Sequence, residues 1–439
     1  MSPAAGIALV LVSLTACMLF ARALQRRGFV GSETARKIVH VGMGSVCLSF
    51  PWLFGERWPV WTLAGIAGVA LSAVRFVPVL RRALGSVLHD VNRASWGEVY
   101  FPLGVAAVFT LADGNRILFV VPVAMLTFAD AAGALVGRRW GRRLFETLEG
   151  TKSVEGSLAV GLTGFACVTG PLLAVGHNAG EALSIGATMG MFSMMLEAIS
   201  WRGLDNALLP LAGFAQLSVY LALSREALVA RLLALAAIAA VALAWRRGHL
   251  VDDCARLGAA LALYFFWAVG GWTWLIAPLV LLVSYVRLMP TVPGGVPRHN
   301  LVAVICVASA GLVWGVAAAF APDPRWLWPF TLGVAMHQGV IAIVRFSQGR
   351  PGWPRAAWWA VGTTQAAGLH VLTFALADGG RTVNAIGFLA GALCLAAGTA
   401  GFVLWEKKLR LPDDLNARWW KQGTVALAAS TAGFYFMHR

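Results

Sequence analysis

Long apolar runs separated by short basic clusters organise this chain of 439 residues. A helix crossing a bilayer needs about 20 mostly apolar residues, and only helices or closed barrels satisfy their own backbone there. Runs of that kind fall at 4–21, 38–54, 58–74, 97–112, 117–136, 154–175, 182–200, 206–224, 227–245, 257–270, 272–286, 301–321, 327–344, 356–377, 383–404 and 422–437. The chain therefore reads as all-α, a polytopic integral membrane helix bundle with about 14–16 transmembrane helices. The run at 97–112 is short, and 257–270 with 272–286 reads either as two spans or as one re-entrant unit. Charged residues make up 13% of the chain and hydrophobic ones 59%. A soluble domain carries about 25% charged residues, so an ordinary soluble enzyme and a disordered chain are both excluded.

The basic residues carry the topology. The formal charge is +15, from 35 Lys and Arg against 20 Asp and Glu. In a soluble chain that balance would suggest nucleic acid. Here, counting loops from the first span, 28 of the 35 basic residues fall in odd-numbered loops and seven elsewhere. Basic loops stay cytoplasmic, so the odd loops face the cytoplasm and both termini face out. The membrane is then the partner of this charge and nucleic acid is not. The expected location is multi-pass, in the inner membrane if the chain is bacterial. The first span lacks the positive leader of a signal peptide and reads as an uncleaved anchor. Six scattered cysteines show no metal or disulfide spacing.

Acidic residues within or beside spans are costly and mark function. Glu98, Asp130, Glu155, Glu197 and Asp205 are of this kind, each near the cytoplasmic end of its span. Lysine usage narrows the choice further. In the first 250 residues arginine is the ordinary cation, and the only lysines are Lys37, in 33-ETARKIVHVGMG-44, and Lys152, in 150-GTKSVEGS-157. A compact ammonium suits a phosphate as a point charge. In 128-FADAAGALVGRRWGRRL-144, Gly133, Gly137 and Gly141 leave one helical face bare for close packing of a helix or a lipid chain. Arg138, Arg139, Arg142 and Arg143 follow at the membrane edge, which makes the segment a candidate polyanion site. No P-loop, dinucleotide fingerprint or HExxH motif is present. A lipid substrate and a cytoplasmic phosphate donor would meet where these acids and lysines lie.

Four blocks resemble the CTP-dependent polyprenol kinase family, which includes dolichol, phytol and farnesol kinases and a CTP-dependent diacylglycerol kinase. They are ARKIVHVGMG (Arg36, Lys37, His40, Gly44), RASWGEVYFPLG (Ser95, Gly97, Glu98, Tyr100, Pro102), FADAAGALVGRRWG followed by GTKSVEGSLA, and EAISWRGLDNALLPL (Glu197, Ser200, Gly203, Asp205, Asn206, Pro210). Their order and spacing agree with that family over about residues 30–245. The resemblance implies phosphoryl transfer from CTP to the hydroxyl of an isoprenoid or lipid alcohol: phytol, farnesol, a polyprenol or dolichol, or diacylglycerol. The CTP loop would run through Lys152, Ser153, Glu155 and Gly156. Lys152, with Arg138 or Arg139, would hold the donor phosphates. Lys37 and His40 would stabilise the phosphates or orient the alcohol. Asp130 and Asp205 would bind Mg²⁺ or activate the alcohol, and Glu197 and Asn206 would complete the metal shell. Which acid takes the proton stays open at this level.

The resemblance divides the chain into a kinase-like membrane domain, 1–245, and a further multi-helix membrane domain, 246–439, with no assigned chemistry. PTVPGGVP at 290–297 is the strongest Pro/Gly break. In the second domain His337, Gln338, Gln365 and His370 read as interhelical hydrogen-bonding groups, and 405–421 as a basic, Trp-rich interfacial element. A different class also fits so many spans: a transporter or flippase of a lipid or phosphorylated lipid. Transporters show internal repeats and midplane acids. This chain shows no convincing repeat, and its acids cluster at one edge.

Overall fold

The computed structural model describes residues 2–77, 96–148, 150–201, 203–244, 251–293, 298–321, 323–378, 385–406 and 415–437, with Gly295 and Leu409. Ser95, Arg202 and the basic residues Arg81, Arg82, Arg93, Arg246, Arg247, Lys407, Lys408 and Arg410 lie outside them. The chain forms two compact units, Met1–Ala237 and Ile238–Arg439.

The architecture is an all-α polytopic membrane bundle. All sixteen apolar runs fall on helices. Among the described residues eight helices are long and apolar enough to cross a membrane, and three shorter apolar ones accompany them. Large apolar side chains such as Leu162, Val69 and Val12 are left exposed along these helices. That surface suits lipid, where an aqueous one would seldom tolerate it.

The first unit contains α1 (Pro3–Arg26), α2 (Ser32–Leu48), α3 (Phe50–Leu53), α4 (Trp58–Phe76), α5 (Gly97–Ala112), α6 (Arg116–Ala124), α7 (Asp130–Trp140), α8 (Val154–Ala174), α9 (Ala179–Ala198) and α10 (Asp205–Tyr220), with α11 (Arg225–Ala244) running across the boundary between the units. Asp113 and Gly114 both take left-handed conformations and turn α5 into α6. Asn115 then caps α6, its Oδ1 accepting from the backbone of Ile117 and Leu118. Pro122 removes one backbone donor from α6, and a π-turn at Met125–Ala129 follows, joining α6 to α7. Single π-turns inside helices recur at functional sites. This one ends at Asp130.

A two-stranded antiparallel hairpin interrupts the helices, β1 (Leu144–Thr147) against β2 (Gly150–Ser153), with Phe145 opposite Lys152. The apolar-run pattern gives no warning of it, because it is too short and too polar to register. Gly150, with φ of 120°, makes its turn in a conformation closed to other residues.

The second unit contains α12 (Asp253–Gly270), α13 (Thr273–Arg287), α14 (Leu301–Phe320), α15 (Leu327–Gly349), α16 (Arg355–Asp378), α17 (Ala385–Trp405) and α18 (Leu415–Met437). The runs at 257–270 and 272–286 are two helices, separated at Gly271 in a left-handed conformation. Every residue of α15 from Trp328 to Val344 is buried, so this helix is the axis of the unit's core. Gln338 donates to Gln365 at 2.8 Å, and Thr331 Oγ1 lies 3.2 Å from His370 Nδ1. These are the interhelical bonds the sequence suggests.

Candidate functional site

Helix α2 brings Lys37 and His40 to one face, three residues apart. Lys37 is 5% exposed, an unusual state for a lysine. Its Nζ donates to Asp130 Oδ2 at 2.6 Å. His40 Nε2 lies 3.5 Å from the same oxygen and 3.0 Å from the carbonyl of Leu126. Phe101, on α5, stands edge-on to the His40 ring. Close approach of α2 to the π-turn depends on Gly44. A Cβ there would meet Thr127 Oγ1 at 2.1 Å.

The hairpin positions the second lysine. Lys152 Nζ donates to Glu197 Oε1 at 2.7 Å and also to the Glu197 backbone carbonyl. Glu197 stands in the last turn of α9, and Asp205 opens α10 after a short connection in which Gly203 is left-handed. Ser200 hydrogen-bonds the Asp205 side chain. The cluster is continuous. Asp205 interacts electrostatically with Asp130, Lys152 and Lys37, and Glu197 with Asp130, Asp205 and Lys152. Buried and without partners among the described residues are Asp205 Oδ1, Asn206 Oδ1 and Ser157 Oγ. Gly104 lets α5 pack onto the start of α10, since a Cβ there would meet the carbonyl of Asn206 at 2.7 Å.

The bare glycine face of α7 packs against a helix. A Cβ on Gly133 would meet Val160 Cγ2 at 2.4 Å, and one on Gly137 would meet Ser153 Oγ at 3.0 Å. Gly156 returns the contact from α8, where a Cβ would meet the Gly133 carbonyl at 2.9 Å. Ser153 caps α8, its Oγ accepting from Gly156 N at 3.1 Å. Glu155 accepts from the backbone of Arg142 and Arg143 at 3.0 and 3.2 Å, tying the end of α7 to the start of α8.

Of the five acids singled out in the sequence, three form the cluster: Asp130, Glu197 and Asp205. Glu155 is spent on backbone donors, and Glu98 stands in the first turn of α5. Arg138 and Arg139 are exposed at the end of α7, with the Arg139 guanidinium over the Trp140 ring. Sequence reasoning gave no role to Thr127, Phe101 or the Leu126 carbonyl. Gly44 and Ser200 stood inside the quoted blocks, but nothing in the sequence told their packing and bonding roles from mere spacing.

Three acidic and two lysine side chains meet here, and Asp205 Oδ1 and Asn206 Oδ1 are left unpaired. Among the described residues no three His, Cys, Asp or Glu side chains make a ready metal cage. Mg²⁺ needs none, since it is usually held by one or two carboxylates together with substrate phosphates. The orphaned oxygens of Asp205 and Asn206 fit that ion.

Phytol kinase from Synechocystis sp. is 32% identical to this chain over 212 residues, which are 47% of this chain and 87% of that relative. No family model matches the chain, and no solved structure matches it.

Proposed function

The chain belongs to the polyprenol/phytol kinase family, and from that premise we propose that its first unit transfers the γ-phosphoryl group of CTP to the hydroxyl of a membrane isoprenoid or lipid alcohol. One observation carries this reading: two lysines, each held by its own carboxylate, flank a third carboxylate with an unpaired buried oxygen. Phosphoryl transfer asks a protein chiefly to position the reactants and neutralise charge. Lys37 and Lys152 supply the charge. On nucleotide binding their ammonium groups turn from Asp130 and Glu197 to the donor phosphates, with the exposed Arg138 and Arg139 drawing the nucleotide in. Ser153 and Gly156 fix the start of α8 against the glycine face of α7 and so set the strand that carries Lys152. Glu155 holds the hairpin in register so that Lys152 points into the site.

Asp205 and Asn206 would hold Mg²⁺, with Glu197 beside them. When bound, the ion spreads the charge of the phosphate oxygens. Release of Lys37 leaves Asp130 free to accept the alcohol's proton, and His40, 3.5 Å away, keeps that carboxylate in place. The alcohol oxygen forms a bond to the γ-phosphorus, the bond from that phosphorus to the β-bridging oxygen breaks, and CDP leaves. The excess of basic residues in odd-numbered loops supports entry of the nucleotide from the cytoplasm.

The test is the purified chain with Mg²⁺, γ-labelled CTP and a panel of phytol, farnesol, undecaprenol and diacylglycerol, with ATP, GTP and UTP as competing donors. Label is expected in an isoprenoid or lipid phosphate, with CTP preferred. Absence of any labelled lipid, or full activity in Lys152→Ala and Asp130→Ala, overturns the reading.

A further inference from the structure

In its last turns the axis helix α15 carries an arginine, Arg345. Arg345 Nη2 donates to the carbonyl of Pro290 at 3.1 Å. Its Nε and Nη1 are buried and have no partner, and no carboxylate pairs with it among the described residues. Two acids of this unit are committed elsewhere. Asp252 caps α12, and Glu406 faces Arg418 and Lys421. Buried guanidinium nitrogens with neither a partner nor a counter-charge are expensive, so this partly buried arginine needs an explanation.

Its neighbours point the same way. The Arg345 guanidinium lies over the Tyr285 ring at 5.4 Å. The Tyr285 hydroxyl is 2.7 Å from His299 Nε2, and the Trp419 and His299 rings stand perpendicular with centroids 5.3 Å apart. His299 Nδ1 and Trp419 Nε1 are likewise buried without partners. Trp419 is 6% exposed, so its indole N–H cannot turn to water. Burial, with Arg345 nearby, pushes the His299 imidazole down to about 4. The ring is therefore neutral at pH 7. In the tautomer where the tyrosine hydroxyl donates to Nε2, the ring's one hydrogen sits on the unpaired Nδ1.

We propose that Arg345, His299 and Trp419 form a second anion site, which holds a phosphate group, either free or carried on a lipid. Two helices, α15 and α18, and the loop before α14 supply its donors. A carboxylate has two oxygens in one plane and one charge. A phosphate monoester offers three terminal oxygens in a tetrahedral arrangement and up to two charges, enough to satisfy Arg345 and the two ring donors together. Arg287, Arg298, Arg350 and Arg355 belong to the same set of odd-numbered basic loops and would raise the local anion concentration.

The site is tested by equilibrium binding to the full-length chain in detergent, with labelled inorganic phosphate in one arm and labelled dodecyl phosphate in the other. Arg345→Gln removes the charge, and Trp419→Phe removes only the indole donor while keeping the ring. Melting curves establish that each variant is folded. Trp419→Phe is expected to weaken binding about tenfold or more, the scale of one hydrogen bond to a charged group, and Arg345→Gln to weaken it further. Saturable binding in the inorganic arm with that loss identifies a soluble phosphate site. The same loss in the dodecyl arm alone identifies a lipid headgroup site. No binding in either arm overturns the proposal, as does binding that folded Trp419→Phe and Arg345→Gln leave unchanged. The first unit's own affinity for phosphates does not confuse the result, because both substitutions lie in the second unit.

Discussion

Replacing Gly44 by alanine perturbs the proposed reaction without touching a charged group. The new Cβ would stand 2.1 Å from Thr127 Oγ1, 2.5 Å from its Cγ2 and 2.7 Å from its Cβ, all well inside van der Waals contact. Thr127 cannot swing away, because it is fully buried and its hydroxyl donates to the Val123 carbonyl at 2.7 Å. The relief must come from α2 moving off the π-turn by about an ångström. Overpacking of this kind costs about 1–3 kcal/mol of stability. The chemical cost is larger, since α2 carries Lys37 and His40 while the π-turn leads into Asp130. A misplacement of about 1 Å at a reacting centre costs about 100-fold in rate. We expect kcat for CTP and the preferred alcohol to fall about 100-fold in Gly44→Ala, with the protein still folded by its melting curve. Thr127→Ala removes the two closest atoms and leaves the Cβ, so the double variant should regain part of kcat. Wild-type kcat in Gly44→Ala refutes the argument, and so does a loss that Thr127→Ala fails to relieve.

Three further outcomes follow from the geometry. Lys37→Met breaks a buried ion pair and should destabilise by about 3–5 kcal/mol, whereas Lys37→Met with Asp130→Leu should regain most of the stability and none of the activity, read by melting curves and turnover side by side. Glu155→Ala should raise KM for CTP by loosening the hairpin, while Glu155→Gln, which keeps a carbonyl acceptor for the Arg142 and Arg143 backbone, should change it little; equal effects of the two count against a positioning role. His299 is held neutral in the fold, with its pKa lowered to about 4 from the ordinary value of about 6.5. Its contribution to stability is therefore complete above about pH 6.5 and is lost as pH falls towards 4, because the unfolded chain binds the proton first. The melting temperature should drop through that window, and His299→Phe should flatten the drop.

Much of the fold was legible because a bilayer imposes one period and one length. Each apolar run had to be helical, and among the described residues each is, though 38–54 and 117–136 are divided between successive helices. The hairpin escaped notice because four-residue strands with an exposed face carry no comparable signal. At the site, sequence patterning found the ionisable residues but not their pairing. Nothing local says that Lys37 meets Asp130, 93 positions away, or that Lys152 meets Glu197, 45 positions away. Glu155 shows the opposite failure. It looked like its neighbours in the cluster, yet its position in the first turn of α8 sends its carboxylate to backbone donors. In the second unit Gln338, Gln365 and His370 were legible as interhelical groups, whereas both ring nitrogens of the buried His337 have no partner among the described residues. Arg345 was not legible as an unpaired charge, since arginines at span ends are routine anchors.

The choice of lysine over arginine at 37 and 152 gains a physical reason from the pairing. This part of the chain otherwise uses arginine as its cation, and the two exceptions are the two cations held by carboxylates in the cluster. A guanidinium binds a carboxylate through a rigid, often bidentate fork, which would hold Asp130 or Glu197 closed against an incoming phosphate. An ammonium on a flexible stem makes point contacts and can pass from one oxygen anion to another with little geometric penalty. In the proposed reaction the exchange would free a carboxylate where the alcohol's proton must go. Lysine at these two positions thus fits the proposed reaction, in which one set of residues is an ion-pair network at rest and would become a phosphate site once the nucleotide binds.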